Sequence, residues 1–256
     1  MNDFFEKLGI EPHDIWVAFA LLSRLPVPVD HARAGARGAK AAWAYPIVGL
    51  TIGLIAGLLA AIAQEIGAPN GMAAVVAIAA MVLLTGGMHE DGIADTADGM
   101  GGNTFERKLE IMKDSHIGAF GAIALTLALL ARYSGIASIS GWYLILALGA
   151  VGAVSRAAMV IPMRLLPAAR PDGLSASAGK PSERATIIAL GLALLTSILL
   201  MGLFNGIEIF LAAIVAALPV YFYARKTLGG QTGDILGATQ QFAEIGALAS
   251  VAAILI

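Results

Sequence analysis

The chain has 256 residues, of which 58% are hydrophobic and 13% charged, whereas a soluble domain carries about 25% charged residues. With a mean hydropathy of +0.81, the composition excludes an ordinary soluble protein and implies one that crosses a membrane several times. A net charge of −2 excludes a basic field for nucleic acid, and the absence of cysteine excludes a disulfide framework and a thiolate metal site.

The N-terminal MNDFFEKLGIEPHD lacks the basic region and immediate apolar run of a cleaved signal peptide, so insertion is expected to rely on the spans themselves. Residues 15–25, IWVAFALLSRL, are too short to cross a bilayer and are stopped by PVP at 26–28. They are expected to form an interfacial or re-entrant helix. HARAGARGAK, 31–40, reads as a small, basic, solvated loop able to meet lipid head groups or phosphates.

Seven spans are expected, near 41–64, 72–88, 117–134, 142–162, 185–204, 208–224 and 239–256. The result is an all-α polytopic bundle forming one integral-membrane catalytic domain over residues 1–256. The connections at 31–40, 89–116, 163–184 and 225–238 hold twelve of the sixteen Lys and Arg, and those at 65–71, 135–141 and 205–207 hold none. By the positive-inside rule the first set faces the cytoplasm. Gly49, Gly53 and Gly57 form a small-residue row suited to helix packing. Arg156 sits inside the fourth span, where phosphate contact, pairing with an acidic residue and snorkelling are all open. Arg132, near a span end, is expected to snorkel.

The interval from Gly86 to Gly121 breaks the apolar pattern and holds seven of the eighteen acidic residues. Asp91, Asp95 and Asp98 are spaced i, i+4, i+7, which places three carboxylates on one helix face. With Glu90 they make a repelling cluster at the edge of an apolar body. A cation between them relieves the repulsion, and oxygen-only ligands favour Mg²⁺ or Mn²⁺. The chemistry this suits is transfer of a phosphoryl-linked group. Three further clusters share the predicted face: Lys113, Asp114, Ser115 and His116; the loop 163–184; and GGQTGDILGA, 229–238, with Asp234 before the last span. Asp234 reads either as a site residue or as the cap of that helix. His89 and His116 are candidates for a base, for a phosphate donor or for a structural role.

Taken together, LLSRLPVP at 21–28, YPIVG at 45–49, GGMHEDGIADTADGMGG at 86–102, RKLEIMKDSHIGAFG at 107–121, SRAAM at 155–159 and GGQTGDILGA at 229–238 resemble the adenosylcobinamide-GDP ribazoletransferases, or cobalamin synthases. The likeness covers nearly the whole chain. It implies a Mg²⁺-dependent reaction of adenosylcobinamide-GDP with α-ribazole or its 5′-phosphate, giving cobalamin or its 5′-phosphate and GMP. By motif position it makes Glu90, Asp91, Asp95 and Asp98 the metal set, with Asp234 as an additional candidate. It makes Lys113, Asp114, Ser115 and His116 candidates for substrate contact. The expected setting is the cell inner membrane, with the site on its cytoplasmic face, the bilayer as partner and no nucleic acid; a homo-oligomer stays open. CDP-alcohol phosphotransferases and prenyltransferases share the aspartate logic. A transporter is the alternative of another class, against which stands the gathering of charge at one membrane face.

Overall fold

The computed structural model describes residues 9–255; the reading of the first eight residues lies outside them. Thirteen α-helices follow one another among the described residues, with one isolated backbone bridge between Ala168 and Gln231. Helices α1 (His13–Leu22) and α2 (His31–Arg37) lead through a 3₁₀ turn, Gly38–Ala44, into α3 (Tyr45–Glu65). HARAGARGAK is therefore helical rather than a free loop. Its Arg37 is drawn in by Asp14, with Nε–Oδ1 at 2.6 Å, and by Glu11 at 2.9 Å. Burial alone would raise the Asp14 carboxyl, but hydrogen bonds from Arg37 and the Trp43 indole outweigh it and hold the group below its ordinary 3.8.

Five helical runs are long and apolar enough to cross a membrane: Gly38–Glu65, Ala119–Ala137 (α7), Tyr143–Leu165 (α8, Tyr143–Ala158, with α9, Val160–Leu165), Glu183–Met201 (α11) and Leu203–Thr227 (α12). A sixth appears if α4 (Asn70–Thr85) and α5 (Met88–Gly99) are one broken span, bent by 88°. The seventh expected span is α13 (Gly233–Ile254), 22 residues long, with Gln240, Gln241 and Glu244 at its buried middle.

The centre of the bundle is α8, the most buried of the five runs. Its tightest neighbour is α3, because glycines remove the side chains that would hold the axes apart. A Cβ on Gly49 would stand 2.0 Å from the Gly152 carbonyl oxygen, and one on Gly53 1.9 Å from that of Leu148. The row read as a packing face lies on this seam.

The bend that sets up the polar end of the molecule falls at Gly86 and Gly87, both left-handed, with φ of 70° and 71°. Such values are open to glycine at little cost. Helix α5 therefore leaves the line of α4 almost at a right angle and packs against α7 and α13. It crosses α13 where Gly92 meets Gly237, since a Cβ on Gly92 would lie 2.8 Å from the Asp234 carbonyl oxygen. Two short helices complete this end: α6 (Phe105–Ile111), capped by Thr104, and α10 (Leu174–Ala178).

Candidate active site

Helix α5 has two polar faces with different surroundings. Asp91 is exposed, Asp95 and Asp98 are half-buried, and Glu90 and His89 are buried. Asp91 and Asp95 look into a cleft of about 410 Å³. Lys113, Asp114, Ser115 and His116, all exposed on the connection between α6 and α7, form its other wall. Burial and the charges of Asp91, Asp234 and Asp98 push the Asp95 carboxyl up to about 7. The carboxylates thus converge electrostatically, as their spacing implies. Asp234, at the start of α13, is itself raised by burial despite Arg170, whose Nη2 lies 3.4 Å away.

Asp98 is turned elsewhere. Its two oxygens accept from the backbone N–H of Gly118, at 2.7 Å, and Gly121, at 2.8 Å, at the start of α7. Four free N–H groups at a helix start attract a carboxylate. The glycines make room for it, because a Cβ on Gly121 would lie 2.2 Å from Asp98 Oδ2. The pairing of DGMGG with IGAFG therefore holds α5 and α7 together across the intervening loop.

The cap of α13 is Thr232, whose Oγ1 accepts from the Ile235 N–H at 3.3 Å. Asp234 does not fill that role; it accepts from Thr232 and faces Arg170. On the opposite wall, Lys113 Nζ is 2.6 Å from Asp172 and His116 Nδ1 is 2.7 Å from Asp114. The Lys113–Asp172 pair ties the α6–α7 connection to the 163–184 loop. Pro167, Ala169 and Gln231 join that loop to the entry of α13 through backbone hydrogen bonds of 2.8 and 2.9 Å.

Glu90 belongs to an internal ion network. Its Oε1 is 2.6 Å from Arg132 Nη1, Arg132 Nε is 2.7 Å from Glu244 Oε1, and Glu244 Oε2 is 3.1 Å from Arg156 Nη1. Gln240 donates to Glu244 at 2.5 Å and Gln241 to Glu90 at 3.3 Å. Arg132 therefore does not snorkel: it is 1% exposed and bonded inward from α7. Arg156 is likewise sealed, at 2% exposure, so its partner is an acidic side chain and not a ligand at the open cleft. A charge this deep costs several kcal/mol unless paired, which is why the arginines pack together with two glutamates. Reading the residues one by one missed Glu244, Gln240 and Gln241. The available signal was their i, i+1, i+4 spacing on an otherwise apolar helix.

Among the described residues no three His, Asp or Glu side chains stand close enough together to hold a metal ion. Asp98 is bound to α7; of the α5 carboxylates that line the cleft, Glu90 has one oxygen on Arg132 and the other unpaired, and Asp91 and Asp95 are the pair outside the ion network. This pair fits Mg²⁺, which is commonly held by one or two carboxylates and completes its shell with water and substrate phosphates.

Fold and cleft together define a polytopic, all-helical membrane protein with an acidic site where a loop-rich end meets the spans. The cobalamin-5-phosphate synthase family profile matches residues 14–252. An adenosylcobinamide-GDP ribazoletransferase of Bradyrhizobium diazoefficiens is 43% identical over 91% of this chain and 90% of its own length. Proteins of the same name from Allorhizobium ampelinum and Azorhizobium caulinodans are each 41% identical over 93% of this chain, and over 96% and 94% of their own lengths. No solved structure matches. The chain belongs to the cobalamin-5-phosphate synthase family.

Proposed function

We propose that the chain is a membrane-bound adenosylcobinamide-GDP ribazoletransferase acting late in cobalamin biosynthesis. It joins adenosylcobinamide-GDP to α-ribazole, or to its 5′-phosphate, and releases GMP. The observation that carries this is the match to proteins of that name at 41–43% identity over more than nine-tenths of the chain. The cleft supports it, since a diphosphate substrate needs a site that gathers charge and stays open to water at one end.

In the reaction a ribose hydroxyl oxygen of the acceptor bonds to the cobinamide-side phosphorus. The bridging P–O bond breaks, GMP leaves with the bridging oxygen, and the hydroxyl proton passes to water or to the departing phosphate. Asp91 and Asp95 would hold Mg²⁺, which when bound offsets charge on the diphosphate oxygens. Lys113 and His116 stand across the cleft with donors for the same oxygens, and Asp172 and Asp114 hold their side chains in place. Ser115 adds a hydroxyl at the same wall. Arg170 lies against Asp234 and supplies positive charge beside the start of α13. Asp98 and Glu90 set the tilt of α5 and contribute charge from behind.

The basic connections 89–116, 163–184 and 225–238 meet at this end, which supports a cytoplasmic site in the inner membrane. The test is GMP release by purified protein from adenosylcobinamide-GDP, expected to require both α-ribazole and Mg²⁺. Turnover with CDP-diacylglycerol or a prenyl diphosphate in place of adenosylcobinamide-GDP would overturn the assignment.

A further inference from the structure

A second cavity, of about 440 Å³, lies on the other side of α5 from the carboxylate cleft and is bounded by α7, α12 and α13. It is the gap left where α7 and α12 both pack on α13 without packing closely on each other. Pro219, inside α12, forms part of its wall. The groove follows α7 from Ala124 to Ala131, about 10 Å at ~1.5 Å per residue. Its rim is apolar and faces outward, since Leu127, Phe242 and Met100 are exposed.

Two side chains break the apolar lining. Thr96, on α5, is 3% exposed and its Oγ1 has no hydrogen-bond partner; the Tyr223 hydroxyl, on α12, is buried without one as well. Buried polar groups are satisfied in the great majority of cases, and within a bilayer no bulk water is at hand to do it. A helical threonine has an acceptor of its own in the carbonyl one turn back. Thr51, Thr85, Thr126 and Thr239 each donate to that carbonyl. Thr96 makes no such bond, so the groove holds two hydroxyl donors without an acceptor.

Charge marks one end of the groove. Lys226 follows Tyr223 by three residues and Pro219 by seven, so it shares their face of α12, and it is exposed. Lys108 Nζ donates at 3.3 Å to the backbone carbonyl of Met100, whose side chain lines the groove. Two ammonium groups therefore stand where the groove reaches the loop-rich end of the molecule. Size completes the description. A cavity of ~150 Å³ accepts the six carbons of benzene, so this one has room for about eighteen carbons, the scale of fatty acyl chains.

We infer that the groove is a binding site for an anionic phospholipid, its acyl region between α7 and α12, its ester carbonyls accepting from Thr96 and Tyr223, and its head group at Lys226 and Lys108. Held there, the lipid braces α5 from behind the face that carries Asp91 and Asp95. The inference goes beyond the transferase reading and does not depend on it.

The experiment uses full-length protein in detergent with phosphatidylglycerol that carries a diazirine in its acyl chain. After irradiation the labelled peptides are mapped. Label is expected on the residues that line the groove, and unlabelled phosphatidylglycerol should chase it at about tenfold lower concentration than phosphatidylcholine, as two lysines near an anionic head group imply. Thr96→Val with Tyr223→Phe keeps the shape and removes both donors, which should weaken labelling about tenfold. Lys226→Gln should narrow the preference for the anionic lipid about fivefold. Ala124→Phe fills the groove and should abolish its labelling; if the double variant fails to fold, Ala124→Phe and the exposed Lys226→Gln carry the test. Label spread evenly over the membrane-facing helices, phosphatidylcholine that chases as well as phosphatidylglycerol, or labelling that none of the variants lowers overturns the site. Displacement of the label by α-ribazole would make the groove a substrate subsite and overturn the lipid. GMP release by the same preparation tests the transferase separately.

Discussion

Glu90 and Asp91 are neighbours in the chain and have opposite surroundings. Glu90 points into the bundle, where Arg132, Gln241 and, one link further, Glu244 and Arg156 close a network of matched charge. Asp91 points out to the cleft, where burial and the like charges around it push the Asp95 carboxyl up to about 7. A step of one residue along the helix therefore separates a charge cluster that is complete from one that is not. A complete cluster holds helices in register; an incomplete one keeps uncompensated charge, which is what the proposed Mg²⁺ would offset. The two depend on each other, because the inner network fixes the tilt of α5 and so the direction in which the outer carboxylates point.

The comparison is broken most severely from the inside. Arg132→Met strands Glu90 and Glu244 together, and removing one partner of a buried ion pair costs ~3–5 kcal/mol. We expect a large fall in thermal stability in detergent, partly recovered when Glu90→Gln is added, which leaves Glu244 paired with Arg156. A single variant as stable as the parent would show that the network contributes little. From the outside, Asp91→Asn or Asp95→Asn should leave the protein inserted and folded yet lower GMP release at least ~10²-fold, since each removes charge that stabilises the transition state. Full activity in both would end the metal assignment.

Gly121→Ala probes the tie between α5 and α7. The added methyl would meet the Asp98 carboxylate, and overpacking costs ~1–3 kcal/mol. It should lower both stability and turnover, whereas Ala122→Gly beside it should cost about 1 kcal/mol of stability through helix propensity alone. Asp234→Ser sharpens the outer face, because Thr232 already caps α13. Turnover should fall, or the Mg²⁺ requirement rise, with little change in melting temperature; unchanged turnover and Mg²⁺ dependence would remove Asp234 from the site.

The smallest effect concerns pH. Asp14 is held below its ordinary value, so its contribution to stability is fully present above about pH 4 and is lost as pH falls through its folded-state value. Arg37→Gln should flatten that acid limb in a melting series from pH 5 to pH 3.

The i, i+4, i+7 spacing made α5 and its acidic face legible from residues alone, and the span pattern located the bundle. The right-angle turn was not legible, because Gly86 and Gly87 have ordinary turn chemistry and only their joint positive φ reorients the helix. Asp98 looked equivalent to Asp91 because a period places side chains on a face without saying what lies opposite. The two free N–H groups at the start of α7 decided its role. Arg132 seemed free to reach the surface since its partners, Glu90 and Glu244, lie on other helices. The reading of 31–40 as a loop failed for the same reason: Asp14 and Glu11, upstream, draw Arg37 inward.

The inner network also sets an order in time. Arg132 follows Glu90 by 42 residues and Gln241 by 151. At ~5–20 residues per second of synthesis the last of these emerges about 8–30 s after Glu90 itself. During that interval the ribosome has delivered the site helix but not the helix that crosses it at Gly92 and Gly237. The acidic face of α5 is made before α13, and its final orientation waits on that later helix.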